Sequence, residues 1–348
     1  MKIAFLNYYS GQLNRGGETF VAELAKRLAK SNDVRIFHAD PGQTVSVSSL
    51  PTTHFLRRLF LNSERIRELL FTLKTLPEIM RLKPEIVFPI NGGWQALICS
   101  LYCRLSGAKL VIAGHSGPGW DDRWNLLMKP HLYIALTSSQ LVWARRATIY
   151  HQKFALIPNG VDLTQFKTTG KKFHTDLERP ITLLVAATTP DKRVEQGIRA
   201  IASLKKGSLL LLGKGPLDER VNKLGYELLG QNRFFHTAVS YDQMPEYYRS
   251  VDLFTLCSVG SEAFGIVYLE AMATNLPCVA TNDDSRREII GKAGVLVDNP
   301  DDSKEYGLAI STALKKDWHD LPRTQASNFT WPIVVKKYEN ALDQLIKK

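Results

Sequence analysis

The chain opens on a short apolar run, "KIAFLNY", passes through "GGETFVAELAKRLAK", and returns to a second apolar run, "DVRIFHA". In the middle segment Phe20, Val21, Leu24, Ala25 and Leu28 recur at three- and four-residue spacing, which gathers them on one face of a helix. Strand, helix, strand in so few residues is the pattern of a parallel βαβ unit. The alternation continues with "EIVFPI", "KLVIAG" and "LYIALT", then with "ITLLVAAT", "SLLLLG", "RFFHTAV", "DLFTLCS", "PCVAT" and "GVLVD". An all-parallel sheet must be covered on both faces, so the pattern predicts an α/β fold of doubly wound domains. A chain of 348 residues exceeds one typical core and suits two.

The boundary is expected in "FALIPNGVDLTQFKTTGKKFHTDLERP", where Pro158, Asn159 and Gly160 interrupt the pattern and a polar stretch follows. Residues 1–160 and 161–330 then form one domain each. The segment 331–348 reads as an amphipathic helix, with Val334, Val335, Tyr338, Leu342 and Leu345 on one side, able to pack back on the first domain. Ligands of doubly wound sheets bind at the carboxyl ends of the strands, so function is sought in those loops and in a cleft between the two domains.

Composition excludes some classes. Hydrophobic residues at 44% and charged residues at 23% are ordinary for a globular protein. No apolar run reaches 18 residues, and the first residues read as a strand rather than a signal peptide, so a cytoplasmic protein is expected. Cys99 and Cys103 share an apolar helical face and Cys257 and Cys278 lie in apolar strands; with no C-x2-C pair they read as buried thiols, not metal ligands. Residues 1–160 hold 20 Lys and Arg against 10 Asp and Glu, so nearly all of the net charge of +11 lies in that half. An anionic partner is expected there.

The stretch "GSEAFGIVYLEAMATNLPCVAT", residues 260–281, places Glu262 and Glu270 on either side of Phe264 and Gly265. A helix is predicted to begin near Phe264 or Gly265, which leaves the amides of Gly265, Ile266 and Val267 at a helix start where positive potential gathers. Gly265 has no side chain to keep a diphosphate from the backbone. Two carboxylates flanking such a site suit the hydroxyl-bearing ends of a nucleotide sugar. Glu262 also reads simply as a helix N-terminal acid, and Glu270, among Leu269, Ala271 and Met272, as a buried acid that needs a partner.

With these residues in place the chain resembles the retaining glycosyltransferases of the large GT4 group, which have the GT-B fold of two Rossmann-like domains facing across a cleft. "SEAFGIVYLEAMATNLPCVAT" is similar to the family's E-x7-E element, "LIPNGVDLTQF" to its interdomain segment, "LLGKGPL" to its Gly-rich turn and "RGGE" to the loop after the first strand. The resemblance implies transfer of a sugar from a nucleotide diphosphate donor to an acceptor hydroxyl, with retention, the donor on the second domain and the acceptor on the first. It implies that Glu262 contacts donor-sugar hydroxyls, that Glu270 holds the ribose, and that Gly265, Ile266 and Val267, after Phe264, offer amides to the diphosphate. Lys192, with Arg193 beside it, matches the cation that stabilises the leaving diphosphate. His115 matches the histidine near the transferring sugar. Gly16 and Gly17 would let the first loop close on phosphates or acceptor, and Gly213, Lys214 and Gly215 would pass near the nucleotide.

Two departures stand out. Ala186 and Ala187 replace the usual Gly-Arg pair, and Asn275 replaces a glycine in "ATNLP"; asparagine tolerates the left-handed conformation, so the turn is expected to survive. No D-x-D occurs, so no metal and no cofactor is expected, the helix start and Lys192 carrying the diphosphate charge. The stretch "FLRRLFLNSERIRELLFTLKTLPEIMRLK" interleaves Arg57, Arg58, Arg65, Arg67, Lys74, Arg81 and Lys83 with Phe and Leu. It suits either an anionic membrane surface bearing a lipid-linked or cell-envelope glycan acceptor, or an ordinary solvated face. Two rivals remain at this level. One is a sugar-nucleotide epimerase on the same fold; the other is a nucleic-acid-binding protein, which the charge suggests although no reader motif occurs. A Rossmann dehydrogenase fits less well, since G-x-G-x-x-G is missing after the first strand.

Overall fold

The computed structural model describes residues 1–11, 16–39, 62–258 and 263–347. The chain divides into two compact units, Met1–Asn159 with Trp331–Lys348, and Gly160–Thr330.

The first unit runs β1 (Lys2–Leu6), α1 (Gly16–Leu28), β2 (Asp33–Phe37), α2 (Ser63–Leu82), β3 (Ile86–Pro89), α3 (Gly93–Ser106), β4 (Lys109–Ala113), α4 (Trp120–Leu127), β5 (Leu132–Ala135), α5 (Ser138–Ala147) and β6 (Lys153–Leu156). The six strands form a parallel sheet in the order β2-β1-β3-β4-β5-β6. Strands β1, β3 and β5 are buried along nearly their whole length, as continuous apolar runs in a covered sheet must be. Helix ends follow local chemistry. The Asn62 side chain accepts from the Arg65 amide at 3.0 Å to start α2, and Gly107, at φ 81°, ends α3. The segment around "FALIPNG", read from sequence as boundary alone, contains β6. This edge strand pairs with β5 and is exposed at both ends, so it lacks the continuous apolar signature of β1, β3 and β5.

The second unit runs β7 (Ile181–Val185), α6 (Val194–Ala202), β8 (Ser208–Leu212), α7 (Asp218–Leu229), β9 (Phe234–Thr237), α8 (Met244–Tyr248), β10 (Leu253–Leu256), α9 (Ile266–Ala273), β11 (Cys278–Thr281), α10 (Asp284–Ile290), β12 (Gly294–Val297), α11 (Ser303–Lys315) and α12 (Leu321–Ser327). Its parallel sheet has the order β12-β11-β10-β7-β8-β9. From β7 the chain steps outward through β8 and β9, then returns to β7's other side with β10. The topological switch point therefore lies between β7 and β10, which pair in register at Leu253 and Thr182.

The chain then returns to the first unit as α13 (Trp331–Ile346). Trp331, Val334, Val335, Tyr338, Leu342 and Leu345 of α13 pack with Phe20, Val21, Leu24 and Leu28 of α1 on one face of the first sheet. At roughly 1.5–3 kcal/mol for each fully buried apolar side chain, this helix is a major part of that core. All four cysteines are buried, and burial pushes the Cys103 and Cys257 thiols up to about 12. No described helix is long and apolar enough to cross a membrane.

Candidate active site

In the second unit the loops after β7, β8 and β10 carry the residues singled out in the sequence. Gly213 ends β8 with φ 157°, and a Cβ there would lie 1.7 Å from the Ala186 carbonyl oxygen, so only glycine lets the β8 loop lie against the β7 loop. The contact is held by residues the sequence reading missed. Thr188 Oγ1 donates to Asp218, the Gly215 amide donates to Asp218 Oδ1 at 3.0 Å, and the Leu217 amide donates to the Thr188 carbonyl at 3.1 Å. Lys214 projects from this staple and is exposed, while Lys192, in the 3-10 turn Pro190–Lys192, is partly buried with its ammonium 3.5 Å from Asp191. Arg193 does not join it: its guanidinium pairs with Asp301, and its backbone is left-handed at φ 51°. Ala187 is exposed and brings no charge.

The β10 loop ends in Gly265, left-handed at φ 80°, which is the N-cap residue of α9. The first amides of α9, beginning with Ile266, have no carbonyl one turn earlier within the helix. Phe264 is buried against Phe329, with ring centroids 6.2 Å apart, and so serves packing. Glu262 lies outside the described residues. Ser258, the last described residue before it, receives two hydrogen bonds from the buried Arg286 guanidinium, at 2.7 Å to Oγ and 3.3 Å to the carbonyl, and Arg286 is paired in turn with Asp283. This partner of Ser258 lies 28 residues downstream and carries no motif.

Glu270 has the partner that its burial demands. Tyr248 donates to its Oε2 at 2.9 Å. Burial pushes the carboxyl up to about 7, against the hydrogen bonds from Tyr248 and Tyr241. Asn275 holds the left-handed turn after α9 at φ 67°; its side chain donates to the His319 carbonyl at 2.8 Å and accepts from the Arg323 amide at 3.2 Å.

In the first unit the corresponding loops follow β1, β3 and β4. Gly16 and Gly17 are the first residues of α1, and the loop immediately before them, residues 12–15, lies outside the described residues. Asn7 follows β1, fully buried with its Nδ2 unpartnered. His115 follows β4; its ring sits 4.3 Å from that of Phe20, and its Nε2 is enclosed without a partner. Burial pushes this imidazole down to about 4, so it is neutral at neutral pH. The loop is clamped by Gln140, whose Nε2 donates to the Gly114 carbonyl at 2.5 Å and to Asp122 Oδ2 at 3.1 Å. Asp122 is fully buried, also accepts from Asn125 at 3.2 Å, and is pushed up to about 7 by burial.

The basic helix α2 differs from its reading. Arg65 does not face solvent: it pairs with Glu68 at 2.9 Å and with Asp121 at 3.3 Å, and donates to the Asn91 carbonyl. Lys74, Arg81 and Lys83 are exposed, whereas Arg57 and Arg58 lie outside the described residues.

Comparison with known proteins gives two adjoining family matches, Glycosyltransferase Family 4 over residues 14–165 and Glycosyl transferases group 1 over residues 165–328. A GDP-mannose-dependent alpha-(1-6)-phosphatidylinositol monomannoside mannosyltransferase of Mycolicibacterium smegmatis is 25% identical over 57% of this chain and 59% of its own length. The chain thus spans less than two thirds of that curated relative. Among solved structures, sucrose-phosphate synthase from Thermosynechococcus elongatus matches at a TM-score of 0.82 with 18% identity over 99% of both chains. Anabaena HepE in complex with UDP and glucose matches at 0.76 with 17% identity over 99% of this chain and 100% of its own. These likenesses give both units together the GT-B fold.

Proposed function

As the chain belongs to the group 1 and family 4 glycosyltransferases, we propose that it moves a sugar from a nucleoside diphosphate donor to an acceptor hydroxyl, with retention and without a metal ion. The observation that carries this reading is that the carboxyl ends of three neighbouring strands on either side of the switch point bear these residues: Lys192 after β7, Gly213, Lys214 and Gly215 after β8, and Gly265 ahead of α9 after β10. A helix start and two lysines suit a diphosphate, and the UDP and glucose held by the Anabaena neighbour support that ligand class.

In this reading the amides of Gly265, Ile266 and Val267 hold the diphosphate and Glu262 holds the donor sugar. Lys192 stabilises the charge that grows on the leaving phosphate as the C1 to oxygen bond breaks. Glu270 reaches the ribose from its seat on Tyr248. Arg193 is left out of the phosphate site because Asp301 occupies its guanidinium. The first unit takes the acceptor, and His115 serves its reacting end as a neutral imidazole. The departing phosphate accepts the acceptor's proton on the same face, so that transfer needs no covalent carboxylate nucleophile. The acceptor is a lipid-linked or cell-envelope glycan, a class supported by the phosphatidylinositol mannoside named for the mycobacterial relative. The protein is cytoplasmic and touches the anionic inner face of the membrane through its basic first unit.

The test is a thermal-shift panel of UDP, GDP, ADP and CMP in EDTA, repeated on Glu270→Ala. One nucleoside diphosphate is expected to stabilise the protein by about 2.7 kcal/mol at 100 times its dissociation constant, and the variant to lose most of that gain. A shift that needs a divalent metal, or none at all, overturns the donor-site assignment.

A further inference from the structure

The edge of the first sheet opposite the His115 loop is built from the amino ends of its strands, about 15 Å away along a five-residue strand. Two cavities open there. One, of about 910 Å³, lies between α2 and α3 and is lined by Leu73, Leu76, Met80, Leu101 and Leu105. Its walls are far more exposed than core residues: Leu105 is 90% exposed, Met80 57% and Leu101 47%. The other, of about 520 Å³, is lined by Lys109, Lys129 and Lys153 with His131, His151 and Gln152. Lys109 lines both, and the adjacent Leu345 and Ile346 of α13 line one each, so the cavities adjoin.

The second cavity asks for an anion. No carboxylate lines it, and Glu85, in the wall of the first, already accepts the Lys2 amide at 2.8 Å. His131 accepts the Leu110 amide on Nδ1 at 3.0 Å, and its basicity is lowered by burial and by Lys109 and Arg104, which reports positive potential at that spot. Both polar atoms of the Gln152 amide are enclosed without a protein partner. Lys129 lies 3.9 Å from the centre of the Tyr150 ring, and Lys153 reaches the Gln344 carbonyl at 3.4 Å, so these two ammonium groups are held at the rim by weak contacts.

An apolar trough joined to a cationic bowl is the negative image of an amphiphile with an anionic head. We infer that this edge binds an anionic phospholipid, its phosphate between Lys109, Lys129 and Lys153 and an acyl chain in the α2–α3 trough. The site rests on the membrane contact proposed above and not on the transfer chemistry. It gives that contact a seat at the end of the strands away from the reaction loops, and so a defined side of the first unit turned to the lipid.

The experiment is flotation of the full chain with vesicles of phosphatidylcholine alone and of phosphatidylcholine mixed with phosphatidylglycerol. It is run on the wild type, on Lys109→Gln/Lys129→Gln/Lys153→Gln and on Leu101→Ser/Leu105→Ser, with nucleotide-induced thermal shift as the check of folding. Binding to the mixed vesicles only is expected for the wild type. Loss of three cations should weaken it on the order of a hundredfold, and the trough variant at least about tenfold. Equal binding of all three proteins overturns the site while leaving a membrane contact elsewhere; absence of wild-type binding overturns both. An effect of the lysines without one of the leucines, or displacement by glycerol phosphate as effective as by lipid, also overturns it, because the ligand is then a free anion rather than a lipid.

Discussion

The two units share one architecture and divide the chemistry unequally. Each is a parallel six-stranded sheet with its switch point beside the first strand. Yet the first unit holds 24 Lys and Arg against 12 acids, while the second holds 21 against 22. The diphosphate site proposed here lies in the nearly neutral unit, where position supplies what net charge does not: a helix start at Gly265 and Lys192 on a tight turn. The positive excess belongs to the other unit, where Arg65 is consumed by Glu68 and Asp121 and the exposed lysines gather around α2 and the amino edge of the sheet. Counting charges thus indicates a surface partner, whereas locating single cations on strand ends indicates a ligand.

That division is open to measurement. The largest effect is expected from Lys192→Ala, which should lower kcat about 10²–10³-fold, as loss of one charge-stabilising group at a developing oxyanion does. Charge removal at Lys109, Lys129 and Lys153 should leave kcat on a soluble acceptor unchanged; a comparable loss there would mean that the basic unit carries the diphosphate after all. Next comes Gly213→Ala, whose Cβ has no room against the Ala186 carbonyl. A cost of at least roughly 1–3 kcal/mol is expected from backbone strain alone, read from denaturant midpoints.

A smaller effect is expected from pH. Glu270 and Asp122 are held near 7 by burial, above their unfolded values, so each binds an extra proton when folded; the stability each contributes is full below the unfolded value and lost as pH rises through about 7. His115 is depressed to about 4, so its contribution runs the other way, present above its unfolded value and lost as pH falls through about 4. In the first unit Asp122 and Glu68, both pushed up to about 7 by burial, oppose His115 and His131, both lowered, over this range; in the second, Glu270 is the one such group among the described residues. Glu270→Gln should flatten the loss of stability on raising pH, while Asp122→Asn should make the first unit more sensitive to acid than it is in the wild type, both followed by thermal midpoints across that range. Least of all, Asn275→Gly keeps the left-handed turn but gives up the bonds to His319 and Arg323; a loss of about 1 kcal/mol in a chemical denaturation curve is expected.

What could be read before the structure follows from what physical signal each feature leaves in a line of residues. The eight interior strands announced themselves as apolar runs because both their faces are covered; the edge strands β2, β9 and β12 were still read from their apolar residues although parts of them are exposed, while the short run Phe154–Leu156 of β6, also at an edge, was taken for a boundary. The α9 start and the left-handed Asn275 were legible from glycine, asparagine and helical spacing. Partners distant in sequence were not. Nothing near Glu270 names Tyr248, and nothing near Ser258 names Arg286. Arg65 is the instructive error: it precedes Glu68 by three residues and Thr72 by seven, so helical spacing already put it on the buried side, and counting cations concealed this.

The return of the chain through α13 has a consequence for synthesis. The second unit is one continuous stretch, Gly160–Thr330, and is complete before α13 has been made, whereas the first unit's core stays open on its α1 face until the last helix arrives. During translation the later half can therefore close first, and the earlier half waits with Phe20, Leu24 and Leu28 uncovered. A released chain that stops just before Trp331 would have a second sheet that resists protease and a first sheet that does not.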